Sequence, residues 1–366
     1  MRKINILKFL DRLIGMPLTS LLPSARGSGI PVSLEKINKI LIIRPGGIGD
    51  AVLLLPAVKA LREKLPSAKI HVLCEKRNFG IFLLSKAIDK IYLYDQSVEL
   101  FGCLRNNYDV AIDAEQWHRL SAAIAYFTRA PVKIGFDTNE RRKLFTHKIP
   151  YSHDDYEVYS FFHLIGPLAG KPPEFNINEP FIAIPDVSPN YQLSVSEKDR
   201  GKLIAIFPGA SVKERKWEVE KFSKVAKTFM ERGFKIAILG SPADRKDAEY
   251  ITKHTGTCMD LTGRTTLTDA AVILKNSRLL LTADSGLMHI AYAVGTPTVA
   301  LFGSGIEKKW APRGDKHTVI NKHLDCSPCT KFGYTPPCKH DVECLTAITA
   351  EDVIEKMTRL LEKTGI

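Results

Sequence analysis

The sequence predicts an α/β fold made of two doubly wound, Rossmann-like domains. Apolar, strand-like runs alternate with candidate helices twice along the 366 residues, and this alternation is typical of parallel sheets covered on both faces. With 45% hydrophobic residues, a chain of this length has enough apolar side chains for two cores. The first series of predicted strands covers residues 40–43, 70–74, 90–94, 109–113 and 131–136.

The composition changes between about residues 145 and 200, where a candidate helix near 156–168 precedes the proline-rich KPPEFNINEPFIAIPDVSPN. Proline and polar turn residues at this density are typical of a crossing between domains. We therefore expect three parts, which are an N-terminal extension and linker at 1–33, a first domain at 34–185 and a second domain at 186–366.

The second series begins after Lys202. Ligands of doubly wound sheets bind beyond the carboxyl ends of the strands, so we expect an interdomain cleft lined by the loops that follow strands. The predicted strands of this series are 203–207, 235–240, 278–283 and 297–303, and the predicted helices are about 218–232, 243–253, 267–275 and 285–293.

The loop RPGGIGD, residues 44–50, joins the first strand to the first helix. A phosphate-binding P-loop needs a lysine and a hydroxyl residue after its last glycine, and Asp50-Ala51 stands there instead. A dinucleotide-binding loop would use Gly47 and Gly49 with Glu75 as the ribose-binding acid, but Val52 is large for its third small position. An ordinary turn, with Asp50 favouring the helix N-terminus, is the third interpretation.

The stretch TADSGLMH, residues 282–289, ends a strand and opens a helix. Free N–H groups and the positive end of the helix dipole at Ser285 and Gly286 favour an anion, with Asp284 and His289 close by in sequence. The structural alternative is a capped helix in which Asp284 or Ser285 is the N-cap.

A third loop, PGASVKERK at 208–216, follows the first strand of the second domain. It contains Gly209, Ser211 and Lys216, and a lysine opposite an anion site neutralises phosphate as a point charge. Solvated surface charge is the alternative interpretation of its basic residues.

The 52 Lys and Arg residues against 40 Asp and Glu give a net charge of +12, which favours an anionic partner. The basic residues form no long block and no aromatic stacking array accompanies them, so we expect no nucleic acid.

The first 22 residues carry apolar side chains at helical spacing among basic ones, and no apolar run approaches the ~20 residues that span a bilayer. This pattern suits a basic amphipathic helix on an anionic membrane surface, or a helix packed on its own domain.

Four of the seven cysteines lie close together in sequence, at Cys326, Cys329, Cys338 and Cys344. The first pair has zinc-ligand spacing, but the second pair is too widely spaced for a standard zinc ribbon. Structural thiols, a zinc site and a disulfide are all left open.

Together, these stretches resemble the bacterial heptosyltransferases of glycosyltransferase family 9. The resemblance runs from Lys39 to Ile366 and rests on the Gly-Gly-Ile-Gly-Asp loop, FPGAS…KW, AILGSPADR, DLTGRTTLTDAAVILKNS, TADSGLMHIAYAVGTPTVALFG and the CSPC…PPC…C loop. It implies the GT-B fold, an ADP-heptose donor and a lipid-linked, phosphorylated saccharide acceptor of the lipopolysaccharide inner core. It also implies a reaction without a metal, and we expect no cofactor. The N-terminal extension is not typical of the short members of the family, so its membrane role is not implied by the resemblance. We expect an enzyme that is peripheral on the cytoplasmic face of the inner membrane.

The resemblance also implies roles for individual residues. Asp50 is the general base of an inverting transfer, and Lys216 with the Ser285–Gly286 helix N-terminus stabilises the departing ADP. The implied donor-binding residues are Gly209, Ser211, Thr265 (beside the adenine), Asp284, Ser285, Gly286 and His289, and the implied acceptor-side loop contains Gly46, Gly47 and Gly49.

Two other functions compete with this interpretation. One is a nucleotide-dependent oxidoreductase of Rossmann type that uses Gly47, Gly49 and Glu75. The other is a non-catalytic, basic protein that binds membranes or polyanions on a transferase scaffold.

Overall fold

A computed structural model of the protein describes residues 11–26, 32–184 and 201–365. The chain divides into two compact units, Met1–Glu174 and Phe175–Ile366. Each unit contains a six-stranded sheet whose paired strands are all parallel, which confirms the predicted α/β class with two doubly wound sheets.

The sheet of the first unit has the strand order β3-β2-β1-β4-β5-β6. Its central strand β1 is apolar and buried along almost its whole length, as expected for a parallel strand covered on both faces. The strands are β1 (Lys39–Arg44), β2 (Lys69–Cys74), β3 (Lys90–Leu93), β4 (Val110–Asp113), β5 (Val132–Phe136) and β6 (His147–Ile149).

The helices of this unit lie before β1, in the connections between its strands, and after β6. A π-helical turn, Asp11–Gly15, continues into α1, and short 3-10 helices cover Leu34–Lys36 and Glu140–Leu144. The α-helices are α1 (Met16–Leu21), α2 (Ile48–Lys64), α3 (Phe79–Phe82), α4 (Ser97–Leu104), α5 (Arg119–Phe127) and α6 (Glu157–Ala169).

The sheet of the second unit has the order β9-β8-β7-β10-β11-β12, which repeats the order of the first sheet with six new strands. The strands are β7 (Leu203–Phe207), β8 (Lys235–Ile238), β9 (Met259–Asp260), β10 (Leu279–Ala283), β11 (Thr298–Phe302) and β12 (His317–Asn321).

The helices of the second unit follow the same alternation, and the C-terminal helix, Ala350–Lys363, packs its apolar face on the core that contains Phe222 and Phe229. Short 3-10 helices cover Lys213–Arg215 and Pro242–Asp244. The α-helices are α7 (Val219–Glu231), α8 (Arg245–Thr255), α9 (Leu267–Lys275), α10 (Gly286–Val294), α11 (Glu307–Trp310), α12 (Glu343–Thr346) and α13 (Ala350–Lys363).

Every strand predicted from an apolar run is present, but β6, β9 and β12 were not predicted. All three lie in the outer part of a sheet, and their sequences are HKI, MD and HTVIN. Because strands at an edge are short and pair on one side only, they need no continuous apolar run, which was the signal used for the other strands.

Residues 175–184 lie within the second unit, although the predicted boundary fell after residue 185. The N–H groups of Phe181 and Ile182 donate to the Ala293 carbonyl at 3.0 and 3.1 Å, and the Phe181 ring packs edge-on against Tyr292. These contacts fix the stretch to the end of α10.

The described part of the N-terminal extension packs against the first unit through a carboxylate. Asp11 is buried, and its Oδ1 accepts hydrogen bonds from the N–H groups of Arg119 and Leu120, at 2.7 and 2.9 Å, in the first turn of α5. Burial alone would raise the pKa of Asp11, but hydrogen bonds from His118 and from these amides hold it below its usual value. Residues 1–10 of the predicted amphipathic helix lie outside the described residues.

We expect Asp11→Ala to loosen residues 11–26, because the first turn of α5 loses an anion at its positive end, an interaction that typically contributes about 1 kcal/mol. Hydrogen exchange of these amides measures the effect, with the exposed Glu35→Ala as the control. Because the folded-state pKa of Asp11 is lowered, the wild-type contribution is complete above the ordinary value of 3.8 and is lost as the pH falls through the folded-state value. Unchanged exchange in Asp11→Ala would contradict this role.

Candidate active site

Each unit places its candidate site where the order of its strands reverses. The reversal lies between β1 and β4 in the first sheet and between β7 and β10 in the second. At such a reversal, the connections that follow the two adjacent strands run to opposite sides, and a crevice opens beyond the carboxyl ends of the strands. The loops after β1, β7 and β10, with the helices that they open, hold every predicted site residue except Thr265.

The glycine loop after β1 brings Asp50 into the first turn of α2. Gly46 has a φ of +110°, a conformation that favours glycine, and Gly47 is the helix N-cap. The helix begins at Ile48, inside the predicted loop 44–50, so that Gly49 and Asp50 both lie within its first turn. The positive end of the helix therefore lies next to the Asp50 carboxylate.

Arg44, the last residue of β1, binds this carboxylate through its guanidinium group. Its side chain is buried, and Nη2 donates to Asp50 Oδ2 at 2.6 Å. Nη1 donates to the Ala114 carbonyl at 2.6 Å and to Gln116 Oε1 at 3.0 Å, both in the loop after β4. One guanidinium thus connects β1, the β4 loop and the first turn of α2.

Further acids surround the Arg44 guanidinium. Glu115 Oε2 lies 3.5 Å from Arg44 Nη1, and Gln116 Nε2 donates to Glu157 Oε1 at 2.6 Å. Burial alone would raise the pKa of Glu115, but the charges of Arg44, His118 and Arg141 outweigh burial and hold it below its usual value. The same acids, led by Asp50 and Glu115, raise the pKa of Arg44 in spite of its burial.

Glu75 lies in an ion pair and not in the open position that a dinucleotide site requires. Its Oε2 is 2.7 Å from Arg77 Nε, and the residue is buried at the end of β2. Val52 stands at the third small position of a dinucleotide fingerprint, and its side chain is completely buried in α2.

In the second unit, the loop after β10 leads directly into α10. Ser285 is the N-cap, and its Oγ accepts a hydrogen bond from Met288 N at 3.2 Å, as the structural alternative predicted. Gly286 and Leu287 form the start of the helix, where backbone N–H groups face outward along the axis. Asp284 and His289 are both buried beside this helix N-terminus.

Two basic side chains from the loop after β7 approach this part of the unit. Arg215 Nη1 lies 3.0 Å from Asp284 Oδ2, whereas Lys216 Nζ lies 2.6 Å from Asp247 Oδ2 on α8. The Lys216 side chain is 42% exposed, so it retains access to solvent while it is paired. Arg215 is therefore the basic residue that pairs directly with Asp284, just before the N-cap of α10.

Two glycines each leave room for a carboxylate beside the backbone, Gly305 for Asp284 and Gly209 for Asp244. A Cβ on Gly305 would overlap Asp284 Oδ2, and a Cβ on Gly209 would overlap the Asp244 carboxylate. Ser211 is exposed in the same loop as Gly209. Gly209 therefore has a packing role as well as its predicted position near the donor.

Thr265 lies on a different loop, between β9 and α9. It is half-buried and directly precedes Thr266, the N-cap of α9, which forms a capping box with Asp269. Thr265 thus lies at the start of α9, after the edge strand β9, and not in a loop next to the strand-order reversal between β7 and β10.

The cysteine-containing loop packs beside Arg215. Thr330 Oγ1 accepts from Arg215 Nη2 at 3.3 Å, and the N–H groups of Cys329 and Thr330 donate to the Ser304 carbonyl. All seven cysteines are free thiols, and burial raises the pKa of Cys344 to about 11. Across the described ranges, no group of three or more His, Cys, Asp or Glu side chains is arranged to hold a metal ion.

Sequence reasoning missed the partners of the predicted residues. Arg44 stood inside the glycine-loop motif but received no role, and Glu115 and Gln116 follow β4 without any recognisable motif. The available signal was their position, since both loops follow strands that flank the reversal point.

We expect Arg44→Met to destabilise the first unit by about 3–5 kcal/mol, because it leaves buried acids without their cation. The pH dependence distinguishes this cause from a simple packing defect. In the wild type, the lowered pKa of Glu115 adds stability above its ordinary value of 4.5, and this stability is lost as the pH falls. Without Arg44, burial dominates and raises that pKa, so the variant should lose stability as the pH rises.

Thermal unfolding between acid and alkaline pH measures the two slopes. Arg142→Met is the control, because Arg142 is an exposed arginine in the same unit, 3.5 Å from Asp137. A variant as stable as the wild type, with an unchanged pH slope, would show that the Arg44 network has no structural role.

Comparisons with known proteins agree with the sequence resemblance. The family model for glycosyltransferase family 9 (heptosyltransferase) matches residues 98–340. Lipooligosaccharide heptosyltransferase 2 of Haemophilus ducreyi is 27% identical in an alignment that covers 88% of this chain and 99% of that protein. The lipopolysaccharide core heptosyltransferase OpsX of Haemophilus influenzae is 23% identical, over 90% of this chain and 99% of its own.

Solved structures share the fold. Escherichia coli ADP-heptose lps heptosyltransferase II superposes with a TM-score of 0.68 at 22% identity and covers 90% of this chain and 100% of its own. E. coli heptosyltransferase WaaC with ADP gives a TM-score of 0.69 at 17% identity, over 88% and 99% of the two chains. The fold is therefore GT-B, and because the family model matches well over half of the sequence, this chain belongs to glycosyltransferase family 9, the heptosyltransferases.

Proposed function

We propose that this enzyme transfers a heptose from ADP-heptose to an acceptor of the lipopolysaccharide inner core, with inversion at the anomeric carbon. Family membership supports the reaction class, and several similar proteins are named as heptosyltransferases of lipopolysaccharide or lipooligosaccharide. The observation that carries the proposal is the position of Asp50, at the strand-order reversal, with one carboxylate oxygen held by Arg44.

The proposed chemistry is a single displacement. An acceptor hydroxyl forms the new bond to the anomeric carbon of the donor while the bond from that carbon to the ADP oxygen breaks. Asp50 accepts the hydroxyl proton as the attack proceeds. Because Arg44 binds Oδ2, we assign proton acceptance to Oδ1, and the guanidinium fixes the direction in which that oxygen points.

Negative charge develops on the departing diphosphate, and the second unit has groups suited to stabilise it. The α10 N-terminus at Ser285 and Gly286 offers N–H groups and a positive dipole end. Lys216 is half-exposed, and its ammonium group can move from Asp247 to a phosphate. Arg215, held between Asp284 and Thr330, adds a fixed positive charge beside the same helix.

We assign acceptor binding to the first unit, through the loop of Gly46, Gly47 and Gly49, and donor binding to the second unit. The proposed donor-binding residues keep their predicted roles, with Thr265 near the adenine. Because the proposed acceptor is lipid-linked, we place the enzyme at the cytoplasmic face of the inner membrane. The excess of basic residues in the protein would there contact anionic lipid. We include no metal and no cofactor in the reaction.

The two competing functions are disfavoured by separate observations. A nicotinamide-dependent oxidoreductase needs Glu75 available for a ribose, and that carboxylate is buried against Arg77. A non-catalytic scaffold conflicts with membership in a glycosyltransferase family.

We expect purified wild-type enzyme to transfer heptose from ADP-heptose to a deacylated inner-core acceptor, and Asp50→Asn to reduce kcat by about 10²–10⁴-fold. The amide keeps the hydrogen bond from Arg44 but cannot accept the proton. ADP affinity should remain near the wild-type value, and the variant should stay folded, because Glu115 and Glu157 still compensate the buried Arg44 charge. Glu63→Gln, an exposed substitution at the far end of α2, is the matched control and should leave kcat unchanged.

Near-normal turnover by Asp50→Asn would remove Asp50 from the role of base. Failure of the wild type to use ADP-heptose, with turnover of another nucleotide sugar, would contradict the donor assignment alone.

We expect Lys216→Ala to weaken ADP binding by about tenfold or more while adenosine binding changes little, because a phosphate-neutralising charge acts on the diphosphate only. Calorimetry with both ligands measures the difference. Lys213→Ala is the control, since Lys213 is an exposed lysine of the same loop. Equal losses for ADP and adenosine would show that Lys216 acts elsewhere.

A further inference from the structure

The described N-terminal helical segment, Asp11–Leu21, packs with the reverse of the usual amphipathic arrangement. Its buried positions are Asp11, Gly15 and Thr19, one helical turn apart. Its large apolar side chains face solvent, with Leu13 60% and Leu21 84% exposed. A helix at the surface of a soluble protein normally buries its apolar stripe and exposes its polar one.

This orientation is fixed by specific contacts. Thr19 Oγ1 donates to the Gly15 carbonyl at 2.8 Å, and Gly15 lies so close to Arg119 on α5 that a Cβ would approach its side chain to 3.0 Å. Lys143 Nζ donates to the Ser20 carbonyl at 2.7 Å. The Asp11 carboxylate also binds the first turn of α5. Together, these contacts keep the side of the segment that carries small and polar residues packed against the first unit.

Two neighbouring helices add apolar side chains to the same side of the unit. On α4, Val98 and Phe101 are one turn apart and 83% and 62% exposed, and Phe127 ends α5. The buried sides of α4 and α5 pack on the same core cluster. The side chains that contact it from this side are Leu22, Leu100 of α4, and Ile124 and Tyr126 of α5. Seven of the nine large exposed hydrophobic residues in the described chain belong to this layer, namely Leu13, Ile14, Met16, Leu21, Val98, Phe101 and Phe127.

We define the apolar layer as Asp11–Leu21 together with α4 and α5. Exposed basic residues lie next to this layer in sequence. Arg105 directly follows α4, and Arg129 lies two residues beyond α5, both exposed. Residues 1–174 contain 25 Lys and Arg against 17 Asp and Glu, so most of the excess positive charge belongs to this unit. In sequence, Arg2, Lys3 and Lys8 precede the layer among further apolar residues.

We propose that the apolar layer docks the first unit on an anionic lipid bilayer. Exposed aromatic and aliphatic side chains enter the interfacial region, and the flanking arginines meet the headgroups. No helix in the described ranges is long and apolar enough to cross a bilayer. This inference rests on the proposed function, because a lipid-linked acceptor gives such docking its purpose.

The test is co-sedimentation of the full-length chain with vesicles, without donor or acceptor. The wild type should bind phosphatidylethanolamine–phosphatidylglycerol vesicles and bind phosphatidylcholine vesicles weakly, with binding reduced by salt. Met16→Glu and Phe101→Glu should each lower the bound-to-free ratio by about tenfold. Turnover on a soluble, deacylated acceptor should stay at the wild-type level for both.

Leu83→Glu is the matched control. Leu83 is 58% exposed and follows α3 in the β2–β3 connection. Right-handed crossovers in this strand order place α2 and α3 on the face of the sheet opposite to α4 and α5. Vesicle binding by this variant should equal that of the wild type.

Three results would overturn the proposal. One is the absence of vesicle binding by the wild type. Another is an equal loss in Leu83→Glu and in the layer variants. The third is a dimer in analytical ultracentrifugation that Met16→Glu and Phe101→Glu dissociate, which would make a second copy of the chain the occupant. Vesicle binding without any heptose transfer would leave docking intact and contradict the proposed function instead.

Discussion

The burial of the Arg44 guanidinium is the constraint on which the first unit's site depends. A buried cation is tolerated only when it is surrounded by acceptors and counter-charges. The loop after β4 supplies the Ala114 carbonyl and Gln116, and the first turn of α2 supplies Asp50. Through Arg44, the direction of the Asp50 carboxylate is therefore set by the loop after β4, 70 positions from Arg44 in sequence, as much as by its own glycine loop.

The second unit repeats the strand order and uses an arginine in a related way. Arg215, from the loop after β7, lies against Asp284, which follows β10, so the pair joins the two loops that flank the strand-order reversal. Gly305 leaves room for that acid, and Thr330 of the cysteine-containing loop holds the other side of the guanidinium. The cysteine-containing loop thus supports the site through packing and hydrogen bonding.

Much of the fold was predictable because parallel strands covered on both faces are continuous apolar runs, as in KILIIR and LLLTA. The loops that carry Asp50, Lys216 and Asp284 were predictable for the same reason, since they follow such strands. The roles of Arg44 and Arg215 were not, because an ion pair between distant loops leaves no local pattern. Helical spacing in the N-terminal segment showed which residues share a side, but not that Asp11 would turn the polar side inward.

The proposed reaction is a single displacement in which the acceptor oxygen attacks the anomeric carbon directly. The anomeric configuration of the transferred sugar, determined by NMR from the one-bond carbon–proton coupling of the product and of the donor, tests this claim most directly. One displacement predicts opposite configurations in donor and product. The same configuration in both would require an enzyme-bound intermediate or front-side attack, and would contradict Asp50 as the base of a direct transfer.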